Sequence, residues 1–366
     1  MHTVLVIGGY GFFGQRICAS LAQTPSIRLL IGGRDPAQAR RAALNTRLDP
    51  DQAITIDANN TGLAQRLTEL RVDTVIHTAG PFQGQNYTVA RAAIDAGCHY
   101  IDLADGRQFV AGITSLDEAA RARGVTVISG ASSVPALSSA VVDQYLPQFQ
   151  RLDSIRSGIS SGARAPGLAT VKGVFGYCGR PFQRYESGNW VTTHGWLDLH
   201  RYQFPAPLGS RWLGSCDIPD LELFPQHYPT VKTVTFHAGF ASDMGHLVVW
   251  VLARLVKANC LKSALPFASM LNRAARWMEP IVSHRGGMFV HMEGIGHDGQ
   301  HKSVAWHLLA ARNHGPQIPC GASIALAEKL ARGEVLPHGA MPCIGLLTLD
   351  EYLAPLRGLD IQQVAD

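Results

Sequence analysis

Between residues 3 and 129 short β-rich runs alternate with longer helical patterns, and that rhythm restricts the fold more than any other feature of the chain. The runs TVLVI (3–7), IRLLIGG (27–33), AITID (53–57), DTVIHTA (73–79), HYIDLA (99–104) and VTVIS (125–129) read as strands. Helical patterns fill the gaps, as in TVARAAIDAG (88–97), which stops at a glycine in the position favoured at helix C-termini. Strands joined this way are parallel with right-handed crossovers, because a tight turn cannot connect parallel neighbours. The expected fold is an α/β Rossmann doubly wound parallel sheet.

After Ser129 the rhythm changes. Residues 132–149 read as a helix leaving the sheet, followed by candidate antiparallel strands near 152–160, 183–193, 197–204 and 230–239. A hairpin is expected across GMFVHMEGIGH and QHKSVAWHLLAA, with Asp298–Gly299 as turn residues. The expectation is a Rossmann domain over 1–135, joined by a returning tail over 316–366. An α+β second domain with an antiparallel sheet would span 136–315, for substrate binding or dimerisation.

The first strand runs into VLVIGGYGFFGQRI, with Gly8, Gly11 and Gly14 between strand and helix. In a dinucleotide site the first glycine makes the tight turn and the second lets the backbone approach a pyrophosphate. The third permits close helix–strand packing, and the helix N-terminus faces the phosphates. Tyr10, Phe12 and Phe13 complete the loop expected to line the nucleotide. About 20 residues on, an NAD-specific site would place an acid for the ribose 2′-hydroxyl. Here stands Gly32-Gly33-Arg34-Asp35-Pro36. Arg34 suits a 2′-phosphate, and Asp35 reads as the N-cap of the next helix with Pro36 at its first position, so NADP(H) is the expected cofactor. Asp57, ending the third strand, is either an adenine-edge contact or a cap.

Ligands in open α/β sheets bind at the carboxyl ends of strands. Ala79, Gly80 and Pro81 should therefore lie beside the nicotinamide ribose. Asp102, Asp105 and Arg107 follow the fifth strand, where they could orient substrate, move a proton or simply fix the loop. Ser132 and Ser133 follow the sixth, as hydrogen-bond donors or a helix start.

The sequence GGYGFFG, then GGR, then VIHTAGPFQGQNYTVARAAIDAGCHYIDLAD, then SGASSVPALSSAVVD resembles the NADP-binding domain of the saccharopine dehydrogenase family over about the first 143 residues. The resemblance implies an NADP-linked oxidoreductase acting on an imine, carbonyl or enoyl group. By position it would assign the pyrophosphate to Gly8, Gly11 and Gly14, the 2′-phosphate to Arg34 and the nicotinamide side to Ala79–Pro81. Asp102 or Asp105 would border the substrate. Where the saccharopine-forming reductases look to have Cys, this chain has Ala131 and Ser132. Their substrate domain does not align with 150–315, so the reaction class carries over and the substrate does not.

In the second domain Tyr177 and Lys172 are candidate acids, with Arg164, Arg180, Arg184, Arg201 and Arg211 as carboxylate clamps. Residues 245–277 read as a buried helix pair, or as a hydrophobic or membrane-facing surface. His297, His301, His307 and His314 lack an accompanying carboxylate pattern, so no metal is expected.

Net charge is +4, with 32 basic and 28 acidic residues, too balanced for a nucleic-acid binder. Seven dispersed cysteines without C-x-x-C imply neither a disulfide framework nor a thiolate zinc site. The opening residues lack a basic n-region, and the apolar run 247–253 is too short to cross a bilayer. A cytoplasmic enzyme with a small-molecule substrate is expected, and the second domain's sheet could pair across a two-fold axis into a homodimer. Two other readings stay open: a non-catalytic NADP(H)-binding regulator, and a synthase that uses bound NAD(P) as a hydride relay.

Overall fold

The computed structural model of the chain describes residues 1–162, 167–279 and 282–365. Two compact units are present. One comprises Met1–Ala140 and Gln317–Leu356, the other Val141–Pro316 and Arg357–Asp366.

The first unit is built on seven parallel strands. Six follow one another in the chain: β1 (His2–Ile7), β2 (Ile27–Gly33), β3 (Ala53–Thr55), β4 (Thr74–His77), β5 (His99–Asp102) and β6 (Thr126–Ser129). The tail strand Gly339–Pro342 adds beside β6. The order β3-β2-β1-β4-β5-β6 reverses direction between β1 and β4, and a doubly wound sheet opens its ligand crevice at that switch point. Burial explains the long apolar runs. Thr3–Ile7 of β1 and all of β4 and β6 are buried, as strands must be when helices cover both faces. One core cluster packs Leu5, Val75, Tyr100 and Val127 of the sheet against Val89 and Ile94 of helix Thr88–Ala96. That helix ends at Gly97, whose φ of 74° only glycine adopts without strain.

The second unit carries a mixed, mostly antiparallel sheet. Its strands are β7 (Phe149–Ser160), β8 (Pro181–Glu186), β9 (Asn189–His194), β10 (His200–Gln203), β11 (Ser210–Ser215), β12 (Thr233–Gly239), β13 (Gly286–Gly296) and β14 (His301–Ala310), with a final strand at Ile361–Ala365. The expected all-antiparallel pairing needs one correction. β7 and β12 run parallel, because the chain makes a long excursion through β8–β11 before returning. The single strand expected over 183–193 is the β8–β9 hairpin, turned at Ser187 (φ 49°) and Gly188 (φ 80°). The hairpin at Asp298–Gly299 forms, with Gly299 at φ 76°. The last ten residues, expected with the first domain, belong to the second unit, where their strand pairs with β14.

Candidate dinucleotide site

The glycine loop is compact enough to exclude side chains. Gly8 has φ 82°, and a Cβ there would sit 2.7 Å from Thr78 Oγ1 and 3.1 Å from the Ala79 amide. A Cβ on Gly14 would lie 2.2 Å from the Gly8 carbonyl oxygen, and one on Gly11 2.9 Å from the same atom. The Gly8 and Gly9 amides donate to Gly32 O, tying the loop to β2, and Gly11 N donates back to Gly8 O at 2.8 Å. Helix Gly14–Leu21 then begins with no side-chain cap and no acidic residue in its first turn, which leaves its positive end available to an anion. Arg16 adds a positive charge in that turn. It is buried, donates to Phe12 O and lies 4.4 Å from the Phe12 ring centroid. Nothing in the glycine spacing pointed to Arg16; its only signal was a cation in a first turn.

Two loops meet at the switch point. Thr78, just past β4, donates from its hydroxyl to Ile7 O and Gly8 O, each at 3.0 Å, and so pins the glycine loop to the β4 loop. Gln85 reaches back to Ala79 O and Pro81 O, at 3.0 and 2.6 Å, and fixes the backbone of the Ala79-Gly80-Pro81 turn. Both residues escaped the sequence reading, since a threonine and a glutamine in a loop carry no spacing signal.

At the end of β2, Tyr10 packs so closely on Gly33 that a Cβ there would lie 2.2 Å from its ring. The Tyr10 hydroxyl accepts from Asp35 N at 3.1 Å. Asp35 is the N-cap of helix Pro36–Asn45, accepting from Ala37 N and Gln38 N at 2.9 and 3.1 Å. Its carboxylate is thereby engaged, while Arg34 beside it is exposed. Asp57 accepts from Asn59 N and stabilises a turn rather than capping helix Leu63–Glu69, whose N-cap is Gly62. It lines an open cavity of about 460 Å³ with Thr55, Asn60, Leu63 and Arg66.

Below the β4 and β5 ends lies a buried polar cluster. Asp102 is fully buried; its Oδ1 accepts from Ala104 N (2.9 Å), Gly130 N (2.8 Å) and Ser129 Oγ (3.0 Å). Burial pushes this carboxyl up to about 6 against those donors. The Tyr100 phenol lies against the same carboxylate and pairs with His77 Nδ1 at 3.1 Å. His77 is buried under the edge of Phe82, and burial pushes its imidazole down to about 4. Asp102 thus clamps the loops after β5 and β6 from beneath, so the expectation that it borders the substrate does not fit its burial. Asp105 is half-buried, accepts from Gln83 Nε2 at 3.1 Å, and is pushed above the usual carboxylate range by burial. Arg107 is the first residue of helix Arg107–Ala111. Ser132 and Ser133 are buried, Ser133 against Tyr352 of the tail, rather than presented as open donors.

The remaining candidates belong to the second unit. Tyr177 follows helix Leu168–Gly176 and hydrogen-bonds to Cys216; Lys172 is exposed on that helix. Arg180 donates to Lys262 O, Arg184 pairs with Asp198 and Glu186, Arg201 with Asp243, and Arg211 donates to Ser210 O. Arg164 lies outside the described residues. The four histidines of 297–314 are dispersed: His297 contacts Pro147 O, His301 is exposed, and His314 accepts from Asp360 N. His307 instead joins a small polar group within an aromatic cluster on the sheet, where Tyr202 Oη meets His291 Nε2 and His307 Nε2, each at 2.7 Å.

These features define a Rossmann-type dinucleotide-binding domain. Residues 4–128 match the family of the saccharopine dehydrogenase NADP binding domain, and the amino-terminal domain belongs to that family. It is a nicotinamide dinucleotide-binding domain. No curated protein matches the chain in sequence. Among solved structures, apo saccharopine dehydrogenase (L-Glu forming) from Saccharomyces cerevisiae matches over 100% of both chains at 13% identity, with a TM-score of 0.69. Amine dehydrogenase from Mycobacterium smegmatis matches over 96% of this chain and 95% of its own at 12% identity, with a TM-score of 0.52. The chain therefore has the fold of a saccharopine dehydrogenase-like oxidoreductase. No helix among the described residues is long and apolar enough to cross a membrane.

Proposed function

We propose that the protein is an NADP(H)-dependent oxidoreductase that reduces an imine, carbonyl or enoyl group of a small molecule. The observation that carries the cofactor choice is the end of β2. Asp35 spends its carboxylate on the helix N-terminus, and exposed Arg34 is left as the charged group for a 2′-phosphate. Gly8, Gly11 and Gly14 would hold the pyrophosphate, with the helix end and Arg16 supplying positive charge. Ala79–Pro81, held by Gln85 and Thr78, would support the nicotinamide ribose. When bound, the reduced nicotinamide supplies the hydride. The matching proton is assigned to Asp105, because a carboxyl raised by burial keeps its proton closer to neutrality than an ordinary one. Arg107, two residues on, would orient a polar substrate group.

Thermal unfolding with NADPH, NADP, NADH and NAD tests the reading on wild type and Arg34→Ala. Ligand at 100 times its dissociation constant stabilises by ~2.7 kcal/mol, which moves a midpoint by several degrees. The expected result is a shift with NADP(H) that largely disappears in Arg34→Ala. A larger shift with NADH, unchanged by the substitution, would overturn the NADP assignment. No shift with any of the four would overturn the oxidoreductase reading. Substrate-dependent NADPH oxidation then separates an enzyme from a nucleotide-binding regulator.

A further inference from the structure

The tetrad Asp35-Pro36-Ala37-Gln38 after β2 has a counterpart in Asp49-Pro50-Asp51-Gln52, and the two bond differently. At 49–52 the first amide donates to the glutamine side chain, Asp49 N to Gln52 Oε1 at 3.0 Å. That is the reach-back of a capping box, in which the third helical residue satisfies the N-cap amide. At 35–38 the same amide is already taken, because Asp35 N donates to the Tyr10 hydroxyl. Gln38 turns the other end of its side chain to the carboxylate instead, and its Nε2 donates to Asp35 Oδ2 at 2.7 Å.

Both oxygens of Asp35 are therefore engaged. Oδ1 accepts from Ala37 N and Gln38 N, which is all that an N-cap requires, and Oδ2 accepts from the Gln38 side chain. Of the groups that hold this carboxyl below the usual carboxylate range, the Gln38 side chain comes first, ahead of the two amides and the Arg41 charge. Gly33 makes room for the Tyr10 phenol, since a Cβ there would lie 2.7 Å from the hydroxyl oxygen. An acid shortly after the second strand is what an NAD site uses on the ribose 2′-hydroxyl. This chain contains such an acid and keeps it occupied.

We propose that Tyr10 and Gln38 form a selectivity lock, holding Asp35 away from a ribose 2′-hydroxyl so that Arg34 is left to recognise a 2′-phosphate. The inference rests on the NADP(H) reading above. It makes the preference reversible, because freeing Asp35 Oδ2 should admit NAD(H) with Arg34 unchanged. Two substitutions free it by different routes. Gln38→Leu removes the donor. Tyr10→Phe releases the Asp35 amide, and Gln38 then closes a capping box as Gln52 does, which leaves the carboxylate oxygen open.

Dissociation constants for NADPH and NADH test this, titrated on the full chain through the fluorescence of the reduced nicotinamide. The wild type should prefer NADPH. Gln38→Leu should tighten NADH by about tenfold, as one charge-assisted hydrogen bond to a hydroxyl would, and weaken NADPH because a free carboxylate repels the 2′-phosphate. Tyr10→Phe should move both constants the same way. Adding Asp35→Asn to Gln38→Leu should abolish the gain for NADH, since asparagine still caps the helix but carries no charge. Circular-dichroism melts check that each variant is folded. A wild type without preference for NADPH overturns the NADP(H) reading, and the lock with it. A wild type that prefers NADPH, with an unchanged ratio of constants in either folded variant, overturns the lock alone. So does a gain for NADH that survives Asp35→Asn.

Discussion

Replacing Asp102 with asparagine should make the protein more resistant to high pH. Asparagine keeps an oxygen acceptor for Ala104 N, Gly130 N and Ser129 Oγ and removes the buried charge. The carboxyl titrates near 6 in the folded chain against 3.8 ordinarily. A raised folded-state value means that the stabilising contribution is fully present below pH 3.8. It is lost as pH rises through 6. At 1.36 kcal/mol for each tenfold change in proton affinity, the loss is about 3 kcal/mol. Urea unfolding of wild type and Asp102→Asn at pH 4, 5, 6, 7 and 8 measures it as a difference, which cancels the other titrating groups. The variant's stability relative to wild type should climb by about 2.4 kcal/mol from pH 4 to pH 7, the rest of the change lying below pH 4, and then level off. A flat difference, or one falling with pH, would refute the argument, because the charged carboxylate would then be satisfied by its donors.

The partner residue tests the opposite sign. His77 is pushed down to about 4, so its contribution is present above 6.5 and lost as pH falls through 4; His77→Asn should gain roughly 3 kcal/mol on wild type between pH 7 and pH 4 in the same unfolding assay. Gly14→Ala would drive a Cβ to 2.2 Å from Gly8 O, an overlap that must open the loop. It should cost about 1–3 kcal/mol by urea unfolding and abolish any nucleotide-induced thermal shift. A Gly14→Ala variant that still shifts with NADPH would place the pyrophosphate elsewhere.

The parallel sheet was legible because its information is local. Burial on both faces forces continuous apolar runs such as Thr3–Ile7, and Gly11 and Gly14 stand where a Cβ meets the Gly8 carbonyl a few residues away. Asp35 was legible for the same reason, since a cap bonds to amides two and three residues on. The serine-glycine turn at 187–188 is local too, but it sits inside a run whose composition reads as one strand. Neighbours distant in sequence decided the rest. Asp102 looked like a substrate carboxylate until the amide of Gly130, 28 residues away, closed over it. Thr78 gains its role only from Ile7 and Gly8 across the switch point. The parallel pairing of β7 with β12 and the docking of Ile361–Ala365 on β14 are choices between sheet edges. Periodicity along the chain assigned helix Asp243–Lys257 its apolar residues. Which of them would face inward depended on the elements that pack around it, and that left Met244, Val251 and Leu255 exposed. Propensity, turn chemistry and glycine sterics act over a few residues and are written in order along the sequence. Burial and charge compensation act between segments that meet only after folding.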